Sequence, residues 1–202
     1  MNQGTKERFE LMLRDAFEAG YLNAALSLSR LTGGGISFNN FRFGGQKLAD
    51  TNFSAYVRDN RQGTDLMLTT EVFGDLSGKS YLLLSVDELE WLTTKIPNHA
   101  NQHENMTEEF IKEVNNILSA SVITWLANHL ECKVYGNVPE IGGKVTRRME
   151  DIIYDDFRGF ADEVYVNSVS FSIDNHPEVH PAFVWVLDTR LMGKTEAKKI
   201  TK

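Results

Sequence analysis

The fold is decided by residues 107–139, which read TEEFIKEVNNILSASVITWLANHLECKVYGNVP. Thr107 suits the N-cap of a helix, and two glutamates follow it in the first turn, where negative charge stabilises the helix dipole. No Gly or Pro occurs between Thr107 and Leu130. This stretch therefore predicts a helix about 36 Å long, at about 1.5 Å per residue. The chain then turns and returns as a strand that reaches Pro139.

The predicted helix is amphipathic. At about 100° per residue its apolar side chains share one broad face, which is typical of a helix packed on a core. That face holds Phe110, Ile111, Val114, Ile117, Leu118, Ser121, Val122 and Trp125. The residues roughly opposite are Glu109, Glu113, Asn116 and Ala120. Because Glu113 and Asn116 are three residues apart, their side chains project from one patch of the surface.

Composition limits the class of protein. The chain has 202 residues, 42% of them hydrophobic, which suits one domain with a substantial core or one domain of two similar halves. A net charge of −7 without a strong basic patch argues against a nucleic-acid partner. Cys132 is the only cysteine, which excludes an intramolecular disulfide and fits a reducing compartment. The N-terminus is charged and no apolar run approaches about 18 residues, so we expect a soluble, cytoplasmic protein without a membrane partner.

The first half of the chain predicts a helix followed by strands. A long helix over residues 5–31 ends at three glycines, which we interpret as a turn because a phosphate loop would follow a strand and carry a Lys. Ser85 caps a short helix over 86–96, and the polar residues 97–105 form the best internal boundary. Alternating patterns predict strands at 36–43, 53–59, 65–74 and 79–85, the last two forming a hairpin.

The second half repeats this order. After the helix, residues 134–141 predict a strand broken at Pro139, and residues 142–162 hold mixed charges and turns. Strands at 163–173 and 182–189 form the last hairpin, and the charged tail follows. An offset of 98 aligns the halves, and it matches Leu13 with Ile111, Leu28 with Leu126, and Ile36 with Val134.

We therefore predict an α+β fold made from a duplicated helix-plus-strands unit. The strands of the two units form one antiparallel sheet, and the two long helices cover it. The whole chain, residues 1–202, is one domain with related halves at 5–97 and 106–190.

A Glu, two residues, an Asn, twenty-two residues and a Pro occur here as Glu113, Asn116 and Pro139. This pattern resembles the active-site signature of the CheC-type phosphatases (CheC, CheX and FliY), which hydrolyse the aspartyl phosphate of the response regulator CheY. The segments NNILSASVITWLANHL and FGDLSGKSYLLLS are also similar to sequences of that family, and the resemblance covers most of residues 8–190. The family often has Asp or Ser four residues before the Glu, where this chain has Glu109.

The resemblance implies roles for these residues. An aspartyl phosphate is already activated, so catalysis requires a water held in line and neutralised phosphoryl charge. An amide can hold that water without repelling phosphate, and Asn116 is the candidate. Glu113 would pair with the active-site Lys of the receiver domain. Glu109 and Pro139 would belong to the substrate-binding surface, where Pro139 would shape the loop beside the helix. The receiver would supply Mg²⁺, so this chain needs no metal or other cofactor of its own.

The first half carries a degenerate version of the site. The offset places Asp15, Glu18 and Phe41 at the positions of Glu113, Asn116 and Pro139. Glu18 would repel phosphate, so we expect only the second site to be competent. A metal bound by Asp15 and Glu18 lacks further ligands in the sequence.

Other interpretations stay open. A Glu and an Asn three apart on a polar helix face are most often only solvated. The same fold could serve a non-enzymatic adaptor that binds a receiver domain, the flagellar switch or a CheD-type deamidase, or a ligand-binding module with a cleft between halves. His176 and His180 are expected in a surface loop. Cys132 and the tryptophans Trp91, Trp125 and Trp185 are expected in the core.

Overall fold

The computed structural model describes residues 3–48, 56, 66–95, 104–142, 147–159 and 162–188. Its helices are α1 (Gln3–Thr32), α2 (Val86–Thr93), α3 (Glu104–Leu130) and α4 (Met149–Phe157). Its strands are β1 (Ile36–Lys47), β2 (Leu66–Gly74), β3 (Gly78–Leu84), β4 (Val134–Gly136), β5 (Glu140–Ile141), β6 (Glu163–Ile173) and β7 (Ala182–Asp188).

The strands form one antiparallel sheet in the order β1-β6-β7-β3-β2-β4, with β5 also paired to β2. The order of elements in the two halves matches β1 with β4, β2 with β6 and β3 with β7. When each strand is replaced by its match, the order reads the same in reverse, so the sheet has an approximate two-fold symmetry. The central pair, β3 and β7, then joins the two repeats. The predicted α+β fold, a duplicated unit with one antiparallel sheet covered by two long helices, is confirmed.

Each face of the sheet is buried against helices. Successive side chains of a strand point to opposite faces. On β7, Phe183, Trp185 and Leu187 therefore join the core under α1 and α3. Val184 and Val186 join a second core with Ile153 and Phe157 of α4. The sheet thus positions α1 and α3 side by side on one face and α4 on the other.

The two long helices approach each other closely at a glycine. A Cβ atom built on Gly20 would lie 2.8 Å from the Cα of Val122, so this position has no room for a side chain. The close contact fixes how the two helices lie across the sheet.

Several predicted boundaries are confirmed. α1 ends at Thr32, and Gly33 follows in the left-handed region with φ of 71°, as expected at the first of three glycines. Ser85 caps α2 through a capping box: its Oγ accepts from the Glu88 N–H, and the Glu88 carboxylate accepts from the Ser85 N–H. Both predicted hairpins, β2–β3 and β6–β7, are present.

Two sequence interpretations are wrong. Thr107 is not the N-cap, because α3 begins one turn earlier at Glu104, inside the stretch 97–105 that was predicted to be irregular. The region 142–162, interpreted as charges and turns, contains α4. The pattern of Met149, Ile153 and Phe157 drives that helix, because these side chains at i, i+4 and i+8 are buried on the sheet.

Some predictions concern residues outside the described ranges. The predicted strand 53–59 lies there except for Tyr56, and so does the charged tail from 189. In the part of the chain that the structure describes, no helix is long and apolar enough to cross a membrane.

Candidate active site

Asn116 and Glu113 lie on the outer surface of α3, as the helical pattern predicted. Both are exposed, as are Glu109 and Ala120 on the same stripe. Among the described residues, no group hydrogen-bonds the Asn116 amide and no cation pairs with Glu113. The site therefore presents one unengaged amide and one unengaged carboxylate to solvent, a single helical turn apart.

Glu109 differs from Glu113 because it already has a partner. Its carboxylate lies 3.1 Å from Lys112 Nζ, and its side chain is 73% exposed. Such an exposed pair contributes little to stability. Its effect is on charge, since Lys112 neutralises Glu109 and leaves Glu113 as the carboxylate next to Asn116.

The preceding residue, Asn115, is fully buried and anchors α3 to the sheet. Its Nδ2 donates to Thr70 Oγ1 on β2 at 2.9 Å. Ser119, one turn further, donates to the Asn115 carbonyl at 2.8 Å and lies 3.3 Å from Thr70 Oγ1. Ser80 on β3 lies 3.4 Å from Ser119 Oγ. Because these bonds have fixed directions, they set the rotation of α3 about its axis, which turns Asn116 outward.

The return strand contacts α3 at Gly136 and then leads to Pro139. Gly136 of β4 packs on α3, because a Cβ built there would lie 2.7 Å from Ile123 Cδ1 and 3.3 Å from Thr70 Cγ2. The next residue, Asn137, donates its N–H to the Glu71 carbonyl at 2.9 Å. Pro139 follows and is buried. Thr70 thus contacts both the helix with Asn116 and the strand that leads to Pro139.

The matching positions in the first half carry a different arrangement. Glu18 Oε1 accepts from Arg14 Nε at 3.1 Å, one turn earlier on α1. The Arg14 guanidinium lies 5.7 Å from the ring centre of Phe41, the counterpart of Pro139. Asp15 is exposed. Within the described ranges, no cluster of three His, Cys, Asp or Glu could hold a metal there or elsewhere.

The histidine, cysteine and tryptophan side chains considered in the sequence lie in the core or in surface contacts within the chain. His176 Nδ1 lies 3.2 Å from Glu178 Oε1 in the loop between β6 and β7. Cys132 is half-buried against the core. Trp91 and Trp185 are buried as expected. Trp125 is only half-buried and packs on His129, with 5.2 Å between ring centres, so its assignment to the core was partly wrong.

The sequence did not reveal the anchor made by Asn115 and Thr70. Both side chains are polar, and the two residues are 45 positions apart. No local pattern pairs them. The only available signal was the helical position of Asn115, which at about 100° per residue lies beside those of Val122 and Leu126.

Comparisons with known proteins identify the fold. No family model matches the chain, and no curated protein matches it in sequence. Among solved structures, Thermotoga maritima FliY is similar over 98% of this chain and 96% of its own, with a TM-score of 0.61 and 15% identity. The middle domain of Vibrio alginolyticus FliM is similar over 92% and 96%, with a TM-score of 0.54 and 10% identity.

A third similar structure is the CheX chain of a CheX–CheY–BeF3–Mg²⁺ complex from Borrelia burgdorferi. It covers 85% of this chain and 97% of its own, with a TM-score of 0.50 and 13% identity. The chain therefore has the fold of the CheC, CheX and FliY proteins. At such low identity the likeness establishes the fold, and the activity must be argued from the site.

Proposed function

We propose that this chain hydrolyses the aspartyl phosphate of a CheY-like receiver domain. The observation that carries the proposal is the exposure of Asn116 and Glu113, both without partners among the described residues, on a helix locked to the sheet by Asn115. A residue that acts on another protein must be accessible, and the helix that carries it must be held in place. Asn116 is exposed, and the bond from Asn115 to Thr70 holds its helix on the sheet.

The Asn116 amide is suited to positioning water. Its oxygen accepts and its nitrogen donates, so it can hold a water in line with the departing carboxylate of the receiver. It brings no negative charge toward the phosphoryl oxygens. We propose that Mg²⁺ bound in the receiver neutralises the phosphoryl group, so that no metal site in this chain takes part.

Glu113 is suited to docking. Its carboxylate lies beside Asn116 and lacks a cation among the described residues, so a lysine of the receiver can pair with it. We propose that this pair orients the receiver so that its phosphoaspartate faces Asn116. Pro139, and Glu109 with its partner Lys112, would lie at the margin of the same contact.

The fold supports this assignment. The similar CheX structure is a complex with CheY, BeF3 and Mg²⁺, and BeF3 is a common stand-in for a phosphoryl group. The middle domain of FliM also has this fold. The fold is therefore compatible with an adaptor that binds a receiver or the flagellar switch without hydrolysis, and chemical activity must be measured.

The test is a phosphate-release assay with receiver proteins phosphorylated by a small phosphodonor in the presence of Mg²⁺. We expect the chain to accelerate phosphate loss and the substitution Asn116→Ala to reduce that acceleration about 100-fold, the typical loss on removing a transition-state contact. Glu113→Ala should raise the receiver concentration needed for half-maximal rate. Asn128→Ala is the matched control, because Asn128 is an exposed amide on the same helix.

Two results would reject the enzymatic role. One is full activity in the Asn116→Ala variant. The other is tight binding of the phosphorylated receiver with no faster loss of phosphate, which would establish the adaptor function instead.

A further inference from the structure

An open groove lies at the first-half counterpart of the proposed site. It has a volume of about 440 Å³ and is lined by Arg14, Phe41, Arg42, Phe43, Gln46 and Tyr56. Small-molecule pockets commonly measure about 300–1,000 Å³ and combine apolar walls with a few placed polar groups. The groove falls within this range of volumes, and its lining is more polar than usual, with two arginines beside two phenylalanines.

A β-bulge shapes one wall of the groove. The register of β1 against β6 slips by one residue between Asn39 and Arg42, and Asn40 has a positive φ of 53°. Such bulges redirect side chains and are frequent beside binding sites. Here Phe41 and Phe43 pack against the core side while Arg42 remains exposed.

Two hydrogen-bond donors of the groove have no acceptor within the described ranges. The Arg42 guanidinium makes no ion pair or hydrogen bond there. Tyr56 accepts a hydrogen bond from Gln46 Nε2 at 2.5 Å through its hydroxyl oxygen, which leaves the hydroxyl proton available. An oxyanion accepts from such donors.

The third donor, Arg14, is held by an internal carboxylate. Its Nε donates to Glu18 at 3.1 Å, and its guanidinium lies over the ring of Phe41. The contact with Glu18 is one exposed salt bridge, which a ligand can replace at low cost. Glu18 therefore acts as a competitor for the same guanidinium that a bound anion would use.

We propose that this groove binds a small molecule that carries a carboxylate or phosphate group on a flat apolar ring. Arg42 and the Tyr56 hydroxyl would bind the anion, and Phe41 and Phe43 would contact the ring. Arg14 would exchange Glu18 for the ligand. This proposal does not depend on the phosphatase activity, because no residue of the groove lies on α3.

The test is a titration of the full-length protein with phenyl phosphate, followed by calorimetry and by the NMR signals of the arginine Nε–H groups. We expect a dissociation constant of about 1 mM or tighter for a ligand of this size. Arg14 and Arg42 signals should shift and saturate together. Benzoate should bind comparably. Inorganic phosphate, which lacks the ring, and benzyl alcohol, which lacks the anionic group, should each bind at least about tenfold more weakly.

Three variants separate the roles. Arg42→Gln should weaken phenyl phosphate binding about tenfold. Glu18→Gln should strengthen it severalfold, because Arg14 loses its internal partner. Arg30→Gln, an exposed arginine at the far end of α1, is the control and should leave binding unchanged. Thermal unfolding of each variant establishes that it is folded.

The proposal is overturned if phenyl phosphate gives no saturable shift, or if Arg42→Gln binds it as tightly as the natural chain. Equal affinity for phenyl phosphate and inorganic phosphate would also reject the ring contact. Phosphate release from a receiver should be unchanged in Arg42→Gln, so failure of the groove and failure of the proposed enzyme are distinguishable.

Discussion

Asn23 Nδ2 on α1 donates to Ser121 Oγ on α3 at 3.3 Å, and the two residues are 98 positions apart. This separation is the offset that aligns the two halves of the sequence, so each residue contacts its own counterpart. Such a contact places them next to the approximate two-fold axis of the duplicated fold. Gly20 packs on Val122 nearby, and the residues that match these two under the offset, Leu118 and Ala24, are both buried.

Gly20→Val should separate the two helices. A Cβ at this position would lie 2.8 Å from the Val122 Cα, which is backbone and cannot move alone. We expect the free energy of unfolding to fall by about 2–3 kcal/mol, measured by urea denaturation. Gly34→Val is the control, because no atom lies within 4 Å of a Cβ built there. Equal stability of the Gly20 variant and the natural chain would contradict the packing described.

Replacing Asn115 by Ala should lower the stability of the fold, whereas replacing Asn116 by Ala should lower the activity and leave the stability nearly unchanged. Asn115→Ala removes a buried hydrogen bond to Thr70, so the free energy of unfolding should fall by about 1–3 kcal/mol. Asn116→Ala removes an exposed amide and should change stability by less than about 0.5 kcal/mol. Parallel urea unfolding and phosphate-release curves check this. A large stability loss in the Asn116 variant would mean that its effect on activity is indirect.

Buried tyrosines should make the domain sensitive to alkali. Burial raises the pKa of Tyr21 well above its ordinary value of 10.0. Burial also raises the pKa of Tyr81, and the neighbouring Asp156 adds to the effect. Above pH 10 the unfolded phenols ionise while the folded ones keep their protons, so the unfolded state binds fewer protons. Stability should therefore be unaffected by these groups below pH 10 and fall above it, by up to about 1.4 kcal/mol per pH unit for each tyrosine.

Urea unfolding at several pH values between 9 and 11.5 measures that slope. The variants Tyr21→Phe and Tyr81→Phe should each show a shallower decline than the natural chain. Identical slopes in all three proteins would show that neither phenol is responsible.

Asp156 should hold α4 on the sheet. Its carboxylate accepts from the Tyr81 hydroxyl at 2.7 Å and lies 3.0 Å from Lys79 Nζ. A double-mutant cycle of Asp156→Ala with Tyr81→Phe should give a coupling energy of about 1–2 kcal/mol. Asp151→Ala, an exposed carboxylate on the same helix, should show no coupling to Tyr81. Additive effects in the first cycle would refute the bond as a stabilising contact.

The local patterns predicted most of the fold because they record burial directly. The exposure of Glu113 and Asn116 followed from the helical period, and the order of elements followed from the alternation of strands. α4 was missed because its start has no capping side chain: Arg148 is at the N-cap and makes no side-chain cap bond. The early start of α3 was missed because Thr107 has the chemistry of a cap but lies inside the helix.

The features that the sequence did not predict depend on contacts between distant residues. Glu18 looked like an obstacle to phosphate, whereas in the structure Arg14 neutralises it. The i, i+4 spacing of Arg14 and Glu18 was available in the sequence. The position of Arg42 and Tyr56 near them was not, because it depends on the bulge in β1 and on contacts between residues that are distant in the sequence.

The central pairing of β3 with β7 means that the repeats share one interior. Each half supplies only one side of the middle of the sheet, and the register Gly78↔Leu187 to Leu83↔Ala182 ties them by backbone hydrogen bonds. An isolated half would expose this seam and would self-associate or aggregate. Selection for folding therefore acts on the interiors of both copies, whichever of them performs chemistry. The solvent face of the first copy, where Asp15 and Glu18 replace the Glu and Asn of the second, was free to acquire an unrelated task.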